Sequence, residues 1–302
     1  MIDLHYVFGC LAASGLVLAV GCAAPGATGS RRAQLVRLLE QEMRSNCGWV
    51  RVHAAEALLD HGASQAVADS FLPEADTAAL PYRIGVWRVL ARAAGTAGDR
   101  RNFCHRIHRL MTDPQSADRL SAAESLGKLG LVDPADRSLL EQWLLATDDA
   151  TQAFVLWVLA LSSEGSQRAE DERRLANLLE SGDSAARLRA AFALGRLPAI
   201  SINSAHDLDR RLALEPADSP ARLYLLVAML LHADKGSSAA LNFKRQLTVY
   251  LSHGQPNEQL EAALALGKRG TPDDVPALTK LLRSPEPDAR IGAANGLLCL
   301  LP

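Results

Sequence analysis

The chain has 302 residues, enough for one large domain or two ordinary ones. Apolar residues make up 48% and aromatics only 5%. Ala and Leu carry much of the apolar content, and strand-type runs of Val, Ile, Thr and Tyr are nearly absent, which argues against a sheet protein. A formal net charge of -2 provides no global field to gather nucleic acid, so that partner class is excluded.

The first segment differs from the rest. Leu4 to Ala24 is almost wholly apolar, broken by His5, and closes on Ala19-Val20-Gly21-Cys22 before Ala23-Ala24-Pro25. A small residue and then Cys after an apolar run resembles the lipobox of bacterial lipoproteins. That resemblance implies lipidation at Cys22, removal of the preceding residues, and a body facing the periplasm from the cell envelope. Two features depart from the pattern: Ala19 stands where Leu is commoner, and Asp3 and His5 stand where a signal peptide carries Lys or Arg. About 20 apolar residues would also span a bilayer. In that alternative Arg31 and Arg32 place the body in the cytoplasm. An ordinary cleaved signal is the third reading. Residues 1–22 are thus a signal or anchor, and 23–30, small and polar, a linker.

From residue 31 to 302 one pattern recurs: an anchor Arg or Gln, an apolar residue, any residue, two small residues, and Leu seven places after the anchor. Clear copies are Arg51 to Leu58, Arg119 to Leu126, Arg187 to Leu194, Gln259 to Leu266 and Arg290 to Leu297; weaker ones start at Arg83, Gln152 and Arg222. Successive anchors lie 31 to 37 residues apart. Each is preceded by another stretch with Leu or Ile at three- and four-residue steps, such as Arg32 to Arg44, Asn102 to Met111, Arg137 to Ala146, Glu170 to Glu180 and Val275 to Leu282. Asp113-Pro114, Asp133-Pro134, Gly182-Asp183 and Pro285 to Asp288 punctuate the helices. Each period is therefore a helical hairpin, and one hairpin cannot bury both its faces, so neighbours must stack. The expected fold is all-α, an α-solenoid of about eight hairpins. The motif resembles the HEAT-like repeats of bacterial proteins, including those named after phycobilisome lyases. The Trp, Gly and Pro landmarks of its nearest rival, the TPR, do not fall at regular places. In that family Arg and acid pairs form a ladder between repeats, which implies that role for Asp183 with Arg187, Asp218 with Arg222 and Asp288 with Arg290.

In such solenoids the second helices line the concave face. Positions two, five and nine after each anchor fall on one stripe of the 3.6-residue helix. That stripe is polar at the chain's ends and apolar in the middle, where Phe154, Trp157, Phe192, Tyr224, Val227 and Leu264 are flanked by Arg189, Arg196 and Lys268. An exposed apolar patch rimmed with Arg is the composition of a protein-binding hot spot, and these nine residues are the candidate binding patch. The competing reading is that the aromatics are core.

A basic stretch from Tyr82 to Leu110 holds seven Arg and one acid, Asp99. It could meet an anionic partner or lipid headgroups, or be a solvated helix face. Cys104 and His108, four apart, share a face with no further ligand evident, so an ordinary helix surface is the expectation and no metal or other cofactor is assigned. Cys47, Cys104 and Cys299 form no disulfide or zinc spacing and read as small buried residues. No nucleotide, zinc-protease or serine-hydrolase motif occurs, and Gly127 and Gly195 recur within the repeat as packing glycines.

The expected function is a non-catalytic, membrane-anchored scaffold that binds a protein or peptide on its concave face. An accessory or regulatory subunit of a membrane transporter or enzyme is the alternative, and a lyase or isomerase a third. The last helix ends Gly296 to Pro302 in an apolar run where solenoids close with a polar cap, so something is expected to cover it, a second copy being one candidate, which lends some support to the accessory-subunit alternative.

Overall fold

The computed structural model describes residues 27–131 and 133–301. Among them are sixteen α-helices and four short 3-10 turns, and no strand. The leader residues, including Cys22, lie outside the described residues. The first helix, α1 (Ala27–Ser45), starts within the stretch expected as a linker.

All eight anchors fall on the second helix of a hairpin. These are α2 (Gly48–Asp60), α4 (Tyr82–Ala93), α6 (Arg119–Leu129), α8 (Asp149–Ser162), α10 (Ser184–Leu194), α12 (Pro220–His232), α14 (Pro256–Arg269) and α16 (Pro287–Leu300). The first helices are α1, α3 (Ser64–Phe71), α5 (Ala97–Thr112), α7 (Arg137–Leu145), α9 (Gly165–Asn177), α11 (Ile202–Leu214), α13 (Ser238–His253) and α15 (Val275–Leu281). Short polar side chains start many of them. Thr96, Asp148, Asp183, Ser201, Ser219 and Ser237 each accept an early backbone N–H of the following helix. Gly130, at φ 62°, ends α6 in the left-handed conformation that its missing Cβ permits.

The second helices pack side by side in chain order and form the inner layer; the first helices lie outside them. The stacking does not end at α16. That helix packs against both α1 and α2, so the solenoid returns on itself and closes into a ring. Polar bonds stitch this seam. Arg290 donates to Glu42 at 2.6 and 3.0 Å, Arg31 to Thr279 at 2.7 Å, and Asn295 to Asp60 at 3.2 Å. His53 meets Asp288 at 2.9 Å and His61 meets Asn295 at 2.8 Å. Leu297 and Leu298 are buried beneath it. The cover expected over the last helix is supplied by the chain's own first hairpin.

The anchor side chain has two tasks. Its donors first take carbonyls left free at the C-terminus of the outer helix in the same hairpin. Arg119 takes Met111 O, Gln152 takes Leu144 O, Arg187 takes Ser181 O, Arg222 takes Leu212 O, Gln259 takes Leu251 O and Arg290 takes Ser284 O. An amide NH₂ suffices for this, which is why Gln can replace Arg at 152 and 259. Most Arg anchors also reach the next hairpin. Arg51 pairs with Glu74, Arg187 bidentately with Glu215 at 2.8 and 2.9 Å, Arg290 with Glu42, and Arg119 lies 3.9 Å from the Trp143 ring centre. A ladder between repeats therefore exists, but its acids are not those expected. Asp183 caps α10, Asp288 bonds His53, and Asp218 is not bonded to Arg222. Asp183 sits at the helix N-terminus, where an amide of α10 claims it, and Asp288 is drawn across the seam to His53.

Arg290 thus bridges to hairpin one as Arg187 bridges to the hairpin after its own. Glu42→Ala leaves the half-buried Arg290 without its carboxylate and should cost about 2 kcal/mol in urea unfolding, between the exposed and buried ion-pair ranges. Small-angle scattering of the wild type should give a radius of gyration near the compact-domain value of about 19 Å. A markedly larger value would show an open superhelix and refute closure.

Candidate functional site

The inner stripe faces the ring axis, as the sequence placed it, but its side chains meet one another rather than open space. One sector is ionic. Arg88, 2% exposed, donates to Glu56 at 2.7 Å and to Ser125 at 2.8 Å. Lys128 pairs with Glu124 at 2.7 Å, and Arg92 with Asp60 at 2.6 Å. Burial pushes the Glu56 carboxyl up, but Arg88, Lys128 and His53 outweigh it and hold the group at about 2, below its usual 4.5. Glu124 is held down in the same way, burial again opposed by Lys128 and Arg88.

The opposite sector is aromatic. The Phe154, Trp157 and Phe192 rings lie 5.8 to 6.2 Å apart, two of the three pairs edge to face, and Tyr224 adds a fourth ring 6.0 Å from Phe192. Arg196 covers the Phe192 ring at 3.4 Å, and Lys128 reaches it at 5.6 Å from two inner helices away. Arg189 lies 5.5 Å from the Phe154 ring. Burial raises the Tyr224 phenol. Trp157 lies against Gly127 of α6, where a Cβ would stand 2.6 Å from the indole, and a Cβ at Gly195 would stand 3.0 Å from Ala228 Cα. Both glycines act in packing, as their place in the repeat implied.

These contacts correct the candidate patch. Phe154, Trp157, Phe192 and Val227 are 6%, 1%, 8% and 3% exposed and belong to the core. Closing the row of inner helices turns a concave surface into an interior, so its largest apolar side chains fill the axis. Arg189, Arg196, Tyr224 and Leu264 are half-buried, and Lys268 is exposed. Part of the patch does come together. Arg196, just past the end of α10, Val227 of α12, and Leu264 and Lys268 of α14 line a pocket of about 300 Å³ with Leu197 and Leu231. Glu261 holds Arg196 across it at 3.0 Å.

On the outer side, His108 is engaged by Asp136 at 2.6 Å and stacks on His105. Among the described residues no three His, Cys, Asp or Glu side chains gather as metal ligands. Cys47 and Cys299 are exposed and Cys104 half-buried, all as free thiols, which corrects their reading as buried residues. No helix among the described residues is long and apolar enough to cross a membrane.

Trp157→Ala and Phe192→Ala should each lose about 3–5 kcal/mol of stability by denaturant unfolding, the cost of emptying a packed aromatic site. Acid unfolding supplies a second check. Glu56 has a folded pKa depressed from 4.5 to about 2, so its contribution is present above pH 4.5 and lost as pH falls towards 2. Glu56→Gln should flatten the stability profile across that window and leave its shape above pH 6 unchanged.

The carboxy-terminal part of this architecture matches a known family. Residues 217–298, from α12 to α16, fit the family model described as HEAT repeats. No curated protein matches the chain. Among solved structures, the crystal structure of an engineered protein is 20% identical over 89% of this chain and 78% of its own, with a TM-score of 0.35. With that match on the last three inner helices, and the same anchored hairpin in the five before them, the fold is that of a HEAT-like repeat protein.

Proposed function

We propose that the chain is a protein-interaction scaffold, held at a membrane of the cell envelope, whose partner seats in the pocket between α10, α12 and α14. The observation that supports this docking place is the pocket's composition. Val227, Leu264, Leu197 and Leu231 give it an apolar floor, and Arg196 and Lys268 give it a cationic rim. Glu261 already satisfies Arg196, whereas Lys268 is exposed and makes no ion pair among the described residues. The HEAT-repeat match supports a binding role in general, because stacked hairpins present extended surfaces rather than a preformed catalytic centre.

The membrane part of the reading rests on the apolar run from Leu4 to Ala24 and on Cys22. Lipidation at Cys22 would place the ring in the periplasm. An uncleaved anchor would place it in the cytoplasm. In either compartment the role fits an accessory subunit of a membrane transporter or enzyme.

A photo-crosslinking side chain in place of Lys268, in the full-length chain in cells, should capture one protein species. The same group in place of Arg173, on outer helix α9, should not. Equal capture from both positions, or from neither, would remove the pocket as the docking place. The intact mass of the purified protein tests the anchor: a diacylated or triacylated Cys22 is expected, and a chain that retains Met1 without lipid would refute lipidation.

A further inference from the structure

Several cations on the outer surface of the ring are answered locally. On the outer helices Arg137 and Arg174 share Glu141, Arg173 pairs with Glu170, and Arg210 pairs with Glu180 and Asp207. Helix α5 gathers unpaired positive charge on one element. It carries four Arg and two His against one acid, Asp99, whose carboxylate is taken by the capping Thr96. Arg100, Arg101 and Arg109 are exposed and make no ion pair among the described residues. Arg106 pairs with the open Asp76, and His108 with Asp136. The surplus stands on a chain whose net charge is -2, so it is a local concentration of positive potential.

The same face is hollow. A groove of about 720 Å³ runs along α5, lined by Asn102, His105, Arg106 and Arg109, with Trp87 of α4 at its floor. Asp113 lies at its lip, where its carboxylate accepts the Gln115 N–H at 2.9 Å. The guanidiniums of Arg83 and Arg106 flank the Trp87 ring at 6.0 and 5.8 Å. Cations arranged in this way present donors to an anion over an aromatic wall.

We propose that this groove binds an acidic, extended peptide segment of a partner protein. The inference rests on the scaffold reading above and adds a second contact with defined chemistry. Spacing favours a peptide. Arg101, just outside the groove's lining, and His105 and Arg109 within it follow at four-residue steps, about 6 Å apart along a helix. Alternate side chains of an extended strand are about 6.6 Å apart, so acids at every second residue would meet successive N–H donors. A membrane surface is flat and could not enter the groove, which makes anionic lipid the poorer occupant.

The test uses the full-length chain and a fluorescein-labelled decapeptide of alternating Glu and Ser, read by anisotropy. Binding is expected at low salt and should weaken as ionic strength rises. The double variant Arg101→Glu/Arg109→Glu should weaken it at least about tenfold, because each reversal replaces an attraction by a repulsion. The control Lys235→Glu/Arg245→Glu should leave it unchanged. Both variants should melt with the wild type, since all four side chains are exposed. No binding, or equal loss in the control, overturns the proposal. Binding to phosphatidylglycerol vesicles without binding to the peptide, abolished by the α5 variant, also overturns it and assigns the groove to lipid. Capture through Lys268 that persists while this test fails would remove the α5 contact and leave the scaffold reading in place.

Discussion

Arg290 reaches Glu42 across 248 positions of sequence, and the arrangement of the inner face depends on the closure that this bond helps to hold. A helical hairpin buries one flank against the hairpin before it and one against the hairpin after it. In an open solenoid the terminal hairpins each leave a flank exposed. Here α16 and α1 cover each other, and neither requires a polar cap. Closure also sets the electrostatics of the interior. Inner side chains two helices apart come within reach, so Lys128 touches Phe192 and Arg196 crosses to Glu261. Carboxylates enclosed this way are tolerated because cations enclosed with them offset the lost hydration.

The anchor Arg links local sequence to that global form. At Arg119, Arg187 and Arg290 it fastens the turn of its own hairpin through carbonyl oxygens and fixes the next hairpin through a carboxylate or a ring. Glu215 shows how completely such a joint is satisfied. Its side chain is fully buried, and it accepts from Arg187, Arg211 and Ser219. Burial pushes its carboxyl up, but those three donors outweigh it and hold the group at about 2. The joint specifies direction as well as contact, because two parallel donors of a guanidinium fix the angle at which the next outer helix arrives.

Much of the fold was legible in the sequence, since hairpin periodicity is a local property. Eight anchors read from residue patterns fall on eight inner helices, and the stripe two, five and nine places after each faces inward. Closure was not legible, because it accumulates from small rotations at every joint and no residue declares the sum. The apolar run of α16 did announce that something must cover it, yet an identical run would serve a partner subunit. The status of Phe154, Trp157 and Phe192 followed from the same gap: their direction was readable, but whether they faced solvent or one another depended on where the chain's ends met. The acids of the ladder were missed for a different reason. Glu42, Glu74 and Glu215 lie 23 to 248 residues from the Arg they serve, and proximity in sequence favoured aspartates with other partners, Asp183 in the cap of α10 and Asp288 on His53.

A closed circuit of hairpins obeys a counting rule that an open array escapes. A linear solenoid can gain or lose a unit and keep every remaining joint intact. In this ring, one hairpin more or fewer would change the angle required at all the other joints together. Duplication and deletion of whole units, the ordinary route by which repeat arrays vary in length, are therefore barred to this architecture, and variation must enter through the surfaces of a fixed set of eight.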